Sequence, residues 1–257
     1  MTEAEVLVER HGGAAVLTLN APRRRNVLSL GMVDAVRPPV DELENDPTVT
    51  CVVLTGAGSA FCAGAELSTL EHAADGDFEP VRFVYDGFLR VRESPLPTIA
   101  AVNGPAVGAG YNLVLACDVR IAAESARFDT RFTGLRLHPG GGHTWLLTEA
   151  VGSQHAALAC LFGEVWDAPT ARDRGLVADV VPDADLLPTA IALARRLDVH
   201  DQEFVRRITA TLRLAAGGAG HAEVFAAETQ AQAWSLGRPA FREGLAEIQR
   251  RIAAKSR

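Results

Sequence analysis

The sequence predicts an α/β fold of alternating strands and helices with crossover connections, followed by an all-helical C-terminal region. Three observations carry that prediction. Short apolar runs rich in β-branched residues recur at 6–8, 15–19, 51–54, 99–102, 119–122 and 177–181, and several read as strands buried on both faces. Helical patterns separate them at 29–45, 110–116, 143–151 and 154–162, as a layered α/β chain requires. After about Asp183 the strand signals stop, and 186–197, 202–214, 222–236 and 239–254 all read as amphipathic helices.

Taken in order, the first helix carries Pro38-Pro39 within its pattern, which should kink or split it because two backbone donors are missing. The acidic stretch from Glu71 to Pro80 reads as a mobile loop. In the helical tail, Gly217, Gly218 and Gly220 break one helix from the next. The expected organisation is therefore a core over residues 1–185 and a helical region over 186–257 available for packing or oligomerisation.

Composition narrows the function. A chain of 257 residues with 48% hydrophobic content can bury a large core, and no apolar run approaches a membrane span. The first ten residues lack the apolar stretch of a signal peptide, so a cytoplasmic location is expected and no membrane partner. The four cysteines (Cys51, Cys62, Cys117, Cys160) are scattered without a C-x-x-C pair, and the seven histidines form no ligand pair, so no metal site is expected. A net charge of −7 argues against nucleic acid. Lys255 is the sole lysine, so any phosphate must be held mainly by arginine or backbone. Arg23-Arg24-Arg25 is the one dense basic cluster, and alone it reads as a solvated turn.

Two glycine-containing segments carry the chemistry: Phe61-Cys62-Ala63-Gly64-Ala65-Glu66-Leu67 and Val102-Asn103-Gly104-Pro105-Ala106-Val107-Gly108-Ala109-Gly110. Neither Gly108-Ala109-Gly110 nor Gly56-Ala57-Gly58 opens a dinucleotide fingerprint: Leu113 and Phe61 stand where the last glycine is needed. There is no phosphate-binding loop with its lysine, and Ser59 is not in a nucleophile elbow. Each segment instead sets small residues at the mouth of a helix just after a strand. Two such mouths can aim free N–H groups at one oxygen.

These segments are nearly residue for residue similar to signatures of the enoyl-CoA hydratase/isomerase (crotonase) superfamily. Ala21-Pro22-Arg23-Arg24-Arg25-Asn26-Val27-Leu28 resembles a third, and Cys117-Asp118, Gly134-Leu135 and Pro139-Gly140-Gly141-Gly142 fall in register. The resemblance runs from about residue 5 to 185. It implies a spiral of ββα units with a C-terminal helical region, assembled as a homotrimer or a dimer of trimers. It implies an acyl-CoA thioester as substrate, with no tightly bound cofactor, and a lyase of fatty acid metabolism. The N–H groups of Ala65 and Ala109 would form an oxyanion hole. Arg24, Arg25, Val27, Ala63 and Ala65, with Lys255 of a neighbour, would meet the coenzyme A portion. Leu70, Phe132, Pro139 and Trp145 would line the acyl pocket.

The chain departs from the family at the catalytic carboxylates. In register, the two glutamates of the hydratases fall on Asn112 and Phe132, and neither can ionise. The carboxylate that some isomerases and dehalogenases carry after the residue matching Pro139 is Gly140 here. Glu66 reads as a helix-dipole partner and Asp118 as structural, while Asp129 stays open. Imidazole titrates near neutrality, so His138 is the candidate substitute base, with His143 and Tyr111 read first as cap or core residues. Three readings follow: an enolate-stabilising acyl-CoA enzyme, a non-catalytic acyl-CoA binder, and a pure scaffold that never binds coenzyme A.

Overall fold

In a computed structural model, which describes residues 4–255, the apolar runs form a six-stranded sheet in the order β1-β2-β3-β4-β6-β9. These are β1 (Val6–His11), β2 (Ala14–Leu19), β3 (Cys51–Gly56), β4 (Thr98–Val102), β6 (Val119–Ala123) and β9 (Asp179–Val181). β1 pairs antiparallel with β2, and every other pair is parallel. Parallel neighbours need crossovers, and the helices between the strands supply them. β3 and β4 are buried at every residue, as their unbroken apolar runs require. Alternate side chains feed two cores. Leu17, Val52, Leu54, Ala100 and Val102 face α1 (Leu30–Asn45), α3 (Glu79–Glu93) and α4 (Ala109–Ala116). Val16, Cys51, Val53, Ile99 and Ala101 face α7 (Leu186–Ala194). A second sheet, in the order β5-β7-β8, holds β5 (Pro105–Val107), β7 (Arg127–Asp129) and β8 (Trp166–Asp167).

Two local expectations are corrected and a third is met. Helix α1 runs unbroken through Pro38 and Pro39. Its ladder loses two donors there, but Met32, Val33, Val36, Val40 and Leu43 bury one continuous face, and Ser29 caps the start by accepting from the Met32 N–H at 3.2 Å. The Glu71–Pro80 stretch is mostly helical: α2 (Leu67–Ala74) ends within it and α3 begins at Glu79. The expectation of two helices at 143–151 and 154–162 is met: they are the arms of α5 (His143–Phe162), separated where Gly152 leaves helical geometry at φ 77° and ψ 164°.

The chain divides into two compact units after Gln202, not after residue 185. Helix α7 belongs to the first unit because Leu186, Ala190 and Ala194 are buried on the sheet. α6 (Ala168–Asp173) also lies in that unit. The second unit holds most of α8 (Gln202–Ala216), then α9 (His221–Leu236) and α10 (Pro239–Lys255). Within it, Trp234 lies between the guanidinium groups of Arg207 and Arg238, 4.2 and 4.5 Å from its ring centroid. No described helix is long and apolar enough to cross a membrane.

Candidate active site

The two glycine segments meet. Cys62 bridges Ala106 in parallel: the Cys62 N–H donates to Pro105 O at 3.2 Å, and the Val107 N–H to Cys62 O at 3.0 Å. Gly110 is required by this approach, since a Cβ there would stand 2.2 Å from Cys62 O. Gly64 turns the first segment with φ 103°, a conformation that suits glycine alone. On its other side the segment bridges Leu28, through Leu28 N–H to Gly64 O at 2.8 Å and Glu66 N–H to Leu28 O at 3.4 Å. That bridge does not use the Ala65 N–H. Ala109 opens α4, where the first N–H groups have no acceptor within the helix. Both alanines line one cavity of about 510 Å³.

Two asparagines, Asn26 buried and Asn103 half-buried, brace this arrangement, a role the sequence alone did not disclose. Asn26 accepts from the Ala21 N–H at 2.9 Å and donates to Ala57 O and Ala60 O at 2.9 and 2.8 Å, tying the arginine turn to the end of β3. Asn103 accepts from the Gly56 N–H at 3.1 Å and donates to Gly58 O at 3.0 Å.

Asn112 lines the cavity one helical turn after Ala109, and its amide is committed. Its Nδ2 donates to Gly140 O at 3.0 Å, which turns Oδ1 towards His143 Nδ1 at 2.5 Å. His143 Nδ1 must then carry the proton. The ring is fully buried between the edges of Phe132 and Tyr111, with centroids at 5.0 and 5.4 Å, and burial lowers its pKa from 6.5 to about 4. His143 is therefore a neutral packing and positioning residue. Among the described residues its Nε2 has no hydrogen-bond partner, and neither has the Tyr111 hydroxyl. Tyr111 packs on Phe128 at 5.5 Å, and burial pushes its phenol well above the ordinary range.

The other expected residues fall in different places. Ala63, Leu70, Phe132, His138 and Pro139 line the cavity. His138 is exposed, with Nδ1 2.7 Å from Pro139 O; since a carbonyl only accepts, the proton sits on Nδ1 and the Nε2 lone pair is free. Trp145 does not line the cavity: it is 44% exposed with the Arg92 guanidinium 5.0 Å over its ring. Two residues past the buried His143, it emerges on the outer side of α5. Trp166 is core, 1% exposed, under Arg174 at 4.6 Å. Arg24 is held by Glu5 at 2.5 Å and Glu66 at 3.7 Å, which gives Glu66 an ion-pair role. Arg25 is exposed at φ 51°, and Val27 is half-buried outside the cavity. The Lys255 side chain lies outside the described residues. Asp118 is structural, accepting from the Thr98 N–H and hydroxyl at 2.8 Å each. Asp129 does not line the cavity; it pairs with Arg131 at 2.6 Å.

Tyr85 was missed. It lines the same cavity from α3, a helix absent from the sequence expectations, although its buried positions Val81, Val84, Phe88 and Val91 follow helical spacing, the signal that would have found it.

Comparison with known proteins agrees with this architecture. The model of the family described as enoyl-CoA hydratase/isomerase matches residues 9–251. The probable enoyl-CoA hydratase EchA14 of Mycobacterium tuberculosis is 44% identical over 250 residues, covering 95% of this chain and 96% of that protein. The 1,2-epoxyphenylacetyl-CoA isomerase of Escherichia coli is 39% identical over 190 residues, 72% of each chain. The crystal structure of an enoyl-CoA hydratase from Bacillus anthracis superposes with a TM-score of 0.88 at 31% identity, over 96% of each chain. With these glycine segments, this sheet topology and matches that span nearly its whole length, the chain belongs to the enoyl-CoA hydratase/isomerase family and has the crotonase fold.

Proposed function

We propose that the protein is an acyl-CoA enzyme that stabilises a thioester enolate with the N–H groups of Ala65 and Ala109. One observation carries this reading: Ala65, whose N–H is left unused by the bridge to Leu28, and Ala109, at the start of α4, line a single cavity of about 510 Å³. The negative oxygen of an enolate is the charge such a pair complements, assisted by the helix dipole. The apolar wall, with Leu67, Leu70, Val81, Val84 and Phe132, suits an acyl chain. The coenzyme A portion would lie against Ala63 and Val27, with Arg25 on a phosphate and Arg24 shared with its acidic partners. His138 would act as base through Nε2, in place of the carboxylates absent at 112 and 132. Isomerisation or another proton-transfer reaction of an acyl-CoA fits these groups better than hydration, whose water-activating carboxylate has no substitute at Asn112.

The committed Asn112 amide and apolar Phe132 favour a second reading, an acyl-CoA binder without turnover. A single-turnover assay with crotonyl-CoA and a longer enoyl-CoA, beside calorimetric titration of a non-reactive acyl-CoA, separates the two. The enzyme reading expects turnover that falls about 10²–10⁴-fold in His138→Gln with binding retained. Binding with no turnover on any thioester would leave the binder, and no binding would refute both.

A homotrimer or dimer of trimers is proposed from the helical unit. Leu212, Phe225, Ile248 and Ile252 are 65%, 60%, 56% and 62% exposed there, which is apolar surface suited to a second copy. Sedimentation or light scattering reads the mass directly. The four unpaired cysteines fit a reducing compartment such as the cytoplasm.

A further inference from the structure

The cavity contains few side chains able to move a proton, and most are already engaged. The Asn112 amide is bound to Gly140 and His143, and the Thr130 hydroxyl donates to Ala159 O at 3.1 Å. The Arg131 guanidinium is paired with Asp129 at 2.6 Å. That leaves His138 Nε2, already assigned as base, and the hydroxyl of Tyr85.

Tyr85 is half-buried, its ring set against Phe78 and Phe88 at centroid distances of 6.3 and 5.8 Å. Its hydroxyl makes no hydrogen bond among the described residues. The oxygen stands over Gly140, 2.1 Å from where a Cβ of that residue would be. A Cβ on the next residue, Gly141, would stand 3.0 Å from the Tyr85 ring and 3.2 Å from Asn112 Nδ2. Glycine at both positions thus lets α3 carry a phenol into the side-chain space of the 140 loop, in the cavity that Asn112 and His138 also line. Burial raises the phenol pKa, which keeps it protonated at neutral pH and available as a donor.

We propose that Tyr85 is a catalytic residue whose hydroxyl delivers a proton to the α carbon of the bound enolate. This rests on the acyl-CoA reading given above. The Tyr85 O–H bond breaks and a C–H bond forms from the enolate electron pair. The thioester C=O is restored as charge leaves the Ala65 and Ala109 N–H groups. The phenolate then takes a proton from water at the open side of the cavity.

The test uses octanoyl-CoA in deuterated water, with α-hydrogen exchange read by mass spectrometry and affinity by calorimetry. Tyr85→Phe keeps the ring packing and removes only the oxygen. It should retain affinity within about threefold and lose about 10²–10⁴-fold in exchange rate. Gly140→Ala, whose methyl displaces the hydroxyl, should give the same loss with Tyr85 present. Exchange at the wild-type rate in both variants would overturn the role of Tyr85 and leave the acyl-CoA reading standing. Wild-type binding without any exchange would overturn the role of Tyr85 together with the enolate reading and leave the acyl-CoA binder. Failure of the wild-type protein to bind octanoyl-CoA would remove the acyl-CoA reading itself, and the proposal with it.

Discussion

Acidification from about pH 7.5 to about pH 4 should destabilise this fold through His143 in particular. The folded protein holds that imidazole neutral, with its pKa lowered from 6.5 to about 4 by burial. Between those values the unfolded chain binds a proton that the folded chain does not, so stability rises with pH across the window. The contribution is complete above about pH 6.5 and is lost as pH falls towards 4. At about 1.4 kcal/mol per pH unit, the interval from 6.5 to about 4 amounts to ~3 kcal/mol. That is a large share of a typical stability of about 5–15 kcal/mol. The assay is urea unfolding at several pH values in the wild-type protein and in His143→Asn, which retains a donor towards Asn112 and cannot titrate. Carboxylates such as Asp46 and Asp167, with their lowered pKa values, titrate in both proteins and cancel in the difference. The wild-type curve should fall below the variant's by an additional ~3 kcal/mol between about pH 6.5 and 4. Parallel curves would refute the reasoning, because they would mean that the imidazole is equally free to protonate in both states.

Two further outcomes follow from the cavity. Gly110→Ala places a methyl 2.2 Å from Cys62 O, where the nearest atoms are backbone and core, so the two glycine segments must move apart. Enolate-dependent turnover should drop about 10²–10³-fold, the usual cost of an oxyanion donor, and wild-type rates would sever Ala109 from the chemistry. Trp145→Ala, on the outer surface of α5, should leave the dissociation constant for an acyl-CoA within about twofold on calorimetric titration, consistent with the small effects of most surface substitutions. A tenfold loss would return that ring to the pocket.

The sequence by itself determined the elements whose signal is local. Uninterrupted apolar runs marked β3 and β4 because a strand buried on both faces needs no polar alternation. The tail helices were legible from their apolar spacing, and the small residues around Gly64 and Gly110 marked the two segments that meet, because close backbone approach excludes a Cβ. The absence of ionisable groups at 112 and 132 was likewise plain from register alone. Tertiary structure decided what depends on which residues meet across the chain. Pro38 and Pro39 persist in α1 because a buried face outweighs two missing donors, a balance no local pattern records. Asn112 and His143 are 31 residues apart, and only folding turns them into one hydrogen-bonded pair and makes the imidazole a buried neutral group. Trp145 was directed outward by two residues of helical rotation from His143. Tyr85 reached the cavity because Gly140 and Gly141, far along the chain, leave room for its ring. Propensity and spacing are properties of neighbours in sequence; burial, hydrogen-bond partners and pKa belong to neighbours in space, and the chemistry of this cavity is set by the latter.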